Sequence, residues 1–102
     1  MTEVNVLETI VLPADEEGRW LERWREDYLP AARSRGLRHE RTWRSHEGPD
    51  TIALHILWWL SSPYDFYAMR TAAGRDPSVA EFWAATDTVA RTRERRVMAV
   101  ER

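Results

Sequence analysis

Two stretches of the chain carry apolar residues on both alternating faces. In residues 4–12, Val4, Val6, Ile10 and Leu12 share one parity, Leu7 and Val11 take the other, and Glu8 interrupts the first set. Residues 51–60 are apolar almost throughout, with His55 in the middle. A strand with one wet face alternates polar and apolar residues, so both stretches read as central strands covered on each side. Between them, Trp20, Leu21, Trp24, Tyr28, Leu29 and Ala32 recur at three- and four-residue spacing, opposite Arg19, Arg23, Glu26 and Arg33. That pattern predicts a helix with one buried aromatic face. Asp15, Glu16 and Glu17 suit its positive end, Pro30 is expected to kink or break it near Tyr28, and Gly36 fits its close. Residues 37–45 alternate Leu37, His39, Arg41 and Trp43 with Arg38, Glu40, Thr42 and Arg44, which predicts a polar edge strand with His39, Arg41 and Trp43 on one face.

The Glu47-Gly48-Pro49-Asp50 turn is short enough to join only antiparallel neighbours, so this edge strand and residues 51–60 should form a hairpin. Ser62-Pro63 then opens a helix with Tyr64, Tyr67, Arg70 and Ala73 on one side, read as its inner face. Gly74 and Asp76-Pro77 punctuate it, and a second helical piece carries Val79, Phe82, Trp83, Thr86, Val89 and Ala90. The basic run 91–96 leads into a short closing strand at 97–100.

Strand, helix, strand, strand, helix, strand is the ferredoxin-like βαββαβ order of an α+β domain, here a single domain over residues 1–102. Right-handed crossovers place the first and third strands at the centre of a four-stranded antiparallel sheet with the helices on one face. Those are the two most apolar strands. Helices on one face leave the other bare, and an apolar sheet of that size calls for a second copy packed sheet to sheet, hence a homodimer.

Composition narrows the chemistry. All 15 basic residues are arginine, which excludes lysine Schiff-base catalysis. A net charge of −2, with arginines and acids interspersed, argues against a nucleic-acid partner. The absence of cysteine excludes disulfides, thiolate nucleophiles and cysteine-held metal. No apolar run approaches the roughly 20 residues of a membrane span, and Glu3 stands where a signal peptide is basic, so the expectation is a cytoplasmic protein with no membrane partner. His39, His46 and His55 lack metal-ligand spacing and no Gly-rich dinucleotide fingerprint occurs, so neither metal nor cofactor is expected.

Among the titratable residues His55 is the leading candidate, a general base on a central strand, against the alternative of a buried histidine satisfied by a neighbour or by the dimer partner. Glu8 in an apolar strand must find a partner: His55 across the sheet, which it would orient and charge, or an arginine such as Arg41 or Arg96. Tyr67 and Arg70, three residues apart on one helix, can converge on an anionic or enolic oxygen, against a packing tyrosine and a solvated arginine. His39 is either a pocket wall or part of a solvated or dimer-contacting row. The six tryptophans are mostly core, but an aromatic-rich cavity with Trp24, Tyr28, Trp59 and Trp83 in its walls is what a flat aromatic substrate selects.

Three stretches carry a family resemblance: Tyr28-Leu29-Pro30 through Gly36, Leu57-Trp58-Trp59, and Tyr64-Asp65-Phe66-Tyr67-Ala68-Met69-Arg70 through Asp76-Pro77. With them the chain resembles the dimeric α+β barrel superfamily of antibiotic-biosynthesis monooxygenases, EthD-like and NIPSNAP-like proteins, and looks most like the NIPSNAP-like branch. The resemblance implies a small-molecule pocket between sheet and helices in each protomer. It brings Tyr67 near an aromatic position of the oxygenase branch and Trp59 near the tryptophan ending the third strand. Two functions follow as expectations. One is a small cofactor-independent enzyme acting on an aromatic or polyketide-like metabolite by oxygenation, cyclisation or isomerisation, with His55 as base and Tyr67 or Arg70 stabilising an oxyanion. The other is a non-catalytic dimeric ligand-binding or interaction domain.

Overall fold

A computed structural model of the chain describes residues 2–101. The elements run β1 (Val4–Pro13), a 3-10 turn (Ala14–Glu16), α1 (Glu17–Arg23), a π-helical turn (Trp24–Tyr28), α2 (Leu29–Ser34), β2 (Arg38–Gly48), β3 (Thr51–Leu60), α3 (Pro63–Gly74), α4 (Pro77–Val89) and β4 (Thr92–Ala99). The four strands pair antiparallel in the order β2-β3-β1-β4, so the two apolar strands are central and the fold is ferredoxin-like α+β.

Even-numbered residues of the central strands face the helices. Val4, Val6, Ile10 and Leu12 on β1 meet Ile52, Leu54, Ile56, Trp58 and Leu60 on β3, and Trp20, Trp24, Tyr28, Phe66, Met69, Phe82 and Trp83 close over them. Odd-numbered residues, among them Leu7, Thr9, Val11, Ala53, His55, Leu57 and Trp59, form the open face. Side-chain caps fix where the later helices begin: the Ser62 hydroxyl accepts from the Asp65 amide and the Asp76 carboxylate from the Ser78 amide.

Three local features depart from the sequence-based expectation. Pro30 does not break the first helix. The turn ahead of it widens to a π-helical one, with the Leu29 amide donating to the Trp24 carbonyl five residues back, and the helix continues to Ser34. The wider turn relieves the clash that the proline ring would make with the carbonyl four residues before it. Gly36, at a φ of 96°, then closes the helix, and the Leu37 amide donates back to Ala32. On β2, His39 pairs with Trp58 and Arg41 with Leu57, which makes Glu40 the extra residue of a bulge. His39 therefore faces the helices while Arg41 and Trp43 face the open side, so the expected shared row does not form. Finally, β4 starts at Thr92 rather than 97: the basic run is itself strand, paired with Leu7 to Val11 of β1.

Candidate functional site

A cleft of about 260 Å³ opens between the inner ends of α3 and α4 and the edge strand β4. Tyr28 from the π-helical turn, Met69 and Ala73 from α3, and Val79 and Trp83 from α4 form its apolar walls, and Arg70, Arg93 and Arg95 bring charge to it. Strand alternation puts Arg93 and Arg95 on the helix side of β4, opposite Ile10 and Glu8.

Arg93 and Arg95 are each held by a carboxylate. Glu8, only 3% exposed, accepts from Arg95 Nε and Nη2 at 3.1 and 2.7 Å through one oxygen, and from the Trp58 indole at 2.7 Å through the other. Asp87 binds Arg93 Nε and Nη2 at 2.6 and 3.1 Å, and that guanidinium lies 4.9 Å from the centroid of the Trp83 ring. Both arginines are tied by the same edge, which leaves Nη1 of each uncommitted to a carboxylate. Among the described residues Arg70 has no carboxylate within ion-pair distance. The Tyr28 ring meets the Trp83 ring edge-on, centroids 5.3 Å apart.

Electrostatics follow from these contacts. Burial, with the Glu8 charge adding to it, raises the Tyr28 phenol above its ordinary value, so it stays protonated at neutral pH and can donate a hydrogen bond. Burial works against the Arg95 charge, but Glu8 more than offsets it. Hydrogen bonding to Arg93 holds the Asp87 carboxyl below the usual carboxylate range. The cleft thus combines a neutral phenol donor, guanidinium groups and an aromatic wall, a set suited to an anionic or enolic oxygen on a flat molecule.

The candidates picked from the sequence divide over three places. Arg70, Tyr28 and Trp83 meet in the cleft. Glu8 lies beneath it, bound to Arg95 and Trp58 and not to Arg41 or Arg96. The expected pair with His55 is not made, because Glu8 sits opposite Ile56 and His55 opposite Thr9, one residue out of phase and hence on the other face. Tyr67 is 63% exposed and Tyr64 79%; the buried side of α3 is carried by Phe66 and Met69 instead. Trp59 is on the open face, its indole donating to Glu3 at 2.9 Å and its ring 4.3 Å from the Arg38 guanidinium.

Also on the open face, His55 is bracketed by two hydroxyls, Ser45 at 2.9 Å from Nε2 and Thr9 at 3.3 Å from Nδ1. Ser45 has one proton and gives it to Glu47 at 3.1 Å, so its oxygen accepts from the Nε2 hydrogen of the ring. Trp24 and His39 line a separate depression of about 410 Å³ between α1 and β2. Two polar pairs close on themselves there, Arg44 with Glu17 at 2.8 Å and His39 with Thr42 at 2.8 Å, while the buried Trp24 indole N–H has no partner among the described residues. Burial among Trp24 and Trp58 lowers the His39 pKa, favouring the neutral ring. Among the described residues no three His, Asp or Glu side chains converge as a metal site.

The apolar pattern of residues 97–100 alone does not point to Arg93 and Arg95, which lie in the part of β4 ahead of it. The signal was present in the alternation of Arg93, Arg95 and Val97 with Glu94, Arg96 and Met98, which is a strand pattern with arginine in the place of aliphatics.

No protein-family model matches the chain, and no curated protein matches it. Solved structures do. A NIPSNAP family protein of unknown function from Agrobacterium tumefaciens superposes with a TM-score of 0.76 at 18% identity, over 98% of this chain and 89% of that one. A dimeric ferredoxin-like protein from an uncultured marine organism gives a TM-score of 0.72 at 12% identity, over 98% and 96%. A de novo designed protein, Foldit4, gives 0.65 at 13% identity, over 98% and 99%. The chain therefore has the fold of NIPSNAP and dimeric ferredoxin-like proteins. That a designed protein shares the architecture leaves function to be argued from the cleft.

Proposed function

We propose that the chain is a homodimeric small-molecule-binding domain whose cleft takes a planar anionic metabolite, an aromatic carboxylate, phenolate or enolate. The observation that carries this reading is the convergence of Arg70, which has no acidic partner among the described residues, with the pre-oriented Arg93 and Arg95, the protonated Tyr28 phenol and the Trp83 ring around one concavity. Size limits the ligand. A cavity of roughly 150 Å³ holds a benzene, so about 260 Å³ suits one substituted ring or a fused pair better than a four-ring polyketide. The same groups suit a cofactor-independent conversion of a metabolite that arrives as its own phenolate or enolate. Both Glu8 oxygens are engaged and His55 is on the far face, so the protein's part is to hold the oxygen's charge rather than to remove a proton.

Dimerisation through the open sheet face belongs to this proposal. Leu7, Leu57 and Val11 form its centre beside the His55 cluster, and Trp43 and Trp59 flank it, an apolar surface that a second copy would cover. Under that arrangement His55 and its hydroxyl partners are interface groups. Calorimetric titration with salicylate tests the cleft: we expect saturable one-to-one binding per protomer, weakened about tenfold or more in Arg70→Ala, the loss of one charge-assisted contact. Undiminished binding to the variant would refute the assignment.

A further inference from the structure

Arg35, at the C-terminal end of α2, is an anomaly for a folded domain. Its side chain is 7% exposed, and none of its three guanidinium nitrogens has a hydrogen-bond partner among the described residues. The nearest carboxylate oxygen, Asp76 Oδ2, is 3.6 Å away, too far for a hydrogen bond, while Oδ1 is engaged with the Ser78 amide and hydroxyl at the head of α4. On another side the guanidinium lies 5.7 Å from the Tyr28 ring centroid. A buried cation that keeps its charge without donating to anything is among the most costly groups in a protein, and a methionine of similar length would fill the same space without that cost. Unsatisfied groups of this kind call for a partner.

The cleft is next to it. Tyr28 both contacts Arg35 and lines the cleft. Ala73 and Val79 line the cleft too, and both are hydrogen-bonded through the backbone to Asp76, the Asp76 amide donating to Ala73 and the Val79 amide to Asp76. Arg35 is therefore separated from the cleft by one aromatic ring and the short corner joining α3 to α4. On the premise that the cleft binds an aromatic anion, we propose that Arg35 is its second anion-binding point: the ligand is a dianion, one carboxylate held at Arg70 and Arg95, the other passing Tyr28 to take the donors that Asp76 leaves unfilled. The ligand class narrows from aromatic acids to aromatic dicarboxylates or dianions of similar reach.

The test is a comparison of benzoate, phthalate and isophthalate by calorimetry on the full chain and on Arg35→Met and Asp76→Asn. In the native protein at least one dicarboxylate should bind about tenfold or more tightly than benzoate, the increment of an added charge-assisted contact. In Arg35→Met that ratio should fall to within about twofold, and Asp76→Asn, which keeps a capping side chain while removing the competing charge, should increase it. Arg35→Met should also unfold in urea at a midpoint no lower than that of the native protein, because it removes an unsatisfied buried charge. Dicarboxylates no tighter than benzoate, a ratio that survives Arg35→Met, or a variant clearly less stable than the native chain would each overturn the proposal while leaving the cleft intact. Benzoate binding that is absent, or indifferent to Arg70→Ala, would overturn the cleft as well.

Discussion

Glu8 occupies the helix-covered side of a central strand, where a carboxylate persists only if its lone pairs are filled. Three hydrogen bonds from Trp58 and Arg95 fill them, and in exchange Arg95 is held at the cleft. Because Glu8 is buried while Arg95 is partly solvated, Glu8→Gln should lower unfolding free energy by about 2 kcal/mol, the range of charged hydrogen bonds; urea titration measures it, and a change below about 0.5 kcal/mol would mean that the pair is energetically idle. His39 makes a pH prediction. Its folded pKa lies below the ordinary 6.5, so the unfolded chain binds the proton more readily. Stability from this residue is present above pH 6.5 and is lost as pH falls from there toward the folded value. His39→Gln, which can keep a bond to Thr42, should flatten the stability difference between pH 7 and 5.5 relative to the native chain. An unchanged slope would assign the acid sensitivity to other groups.

At the scale of elements, the central strands were legible because their apolar residues occupy both parities, which only a covered position explains. The opening of α3 at Ser62-Pro63 was legible for a similar reason, a side-chain oxygen preceding a proline, and Asp76-Pro77, legible as punctuation, proves to be the cap of α4. What stayed hidden depended on single-residue geometry. The Glu40 bulge reversed the facing of Arg41 and Trp43 relative to His39, and no residue type announces a bulge. The β1–β3 register put Glu8 and His55 on opposite faces, and register is a property of pairing that one strand's sequence does not state. The length of β4 was masked by its arginines, whose partners Glu8 and Asp87 are far away in sequence or on another element. β4 also yields a direct check. Alternate amides across the whole of Thr92–Ala99 should be protected from hydrogen exchange by pairing with β1. Protection confined to residues 97–99 would restore the shorter strand.

At the scale of the molecule, the two sheet faces have different work. The helix face carries the core and, at its β4 end, the cleft; the open face carries the apolar surface centred on Leu7 and Leu57. If that surface is a dimer interface, Leu57→Arg should convert dimer to monomer in sedimentation at micromolar concentration without unfolding the helix-side core, since a guanidinium set opposite Arg41 on each copy meets like charge rather than a partner. A native chain that sediments as a monomer would contradict the dimer.

The central claim is that ligand chemistry belongs to the cleft at Tyr28, Arg70, Trp83, Arg93 and Arg95. The tryptophans report on it from distinct places, Trp83 in the cleft, Trp24 in the depression by β2, Trp43 and Trp59 on the open face. An indole N–H correlation spectrum recorded during a salicylate titration reads all of them at once. The account predicts a saturable shift of the Trp83 resonance with those of Trp43 and Trp59 unmoved; shifts led by Trp43 or Trp59, or none at all, would contradict it.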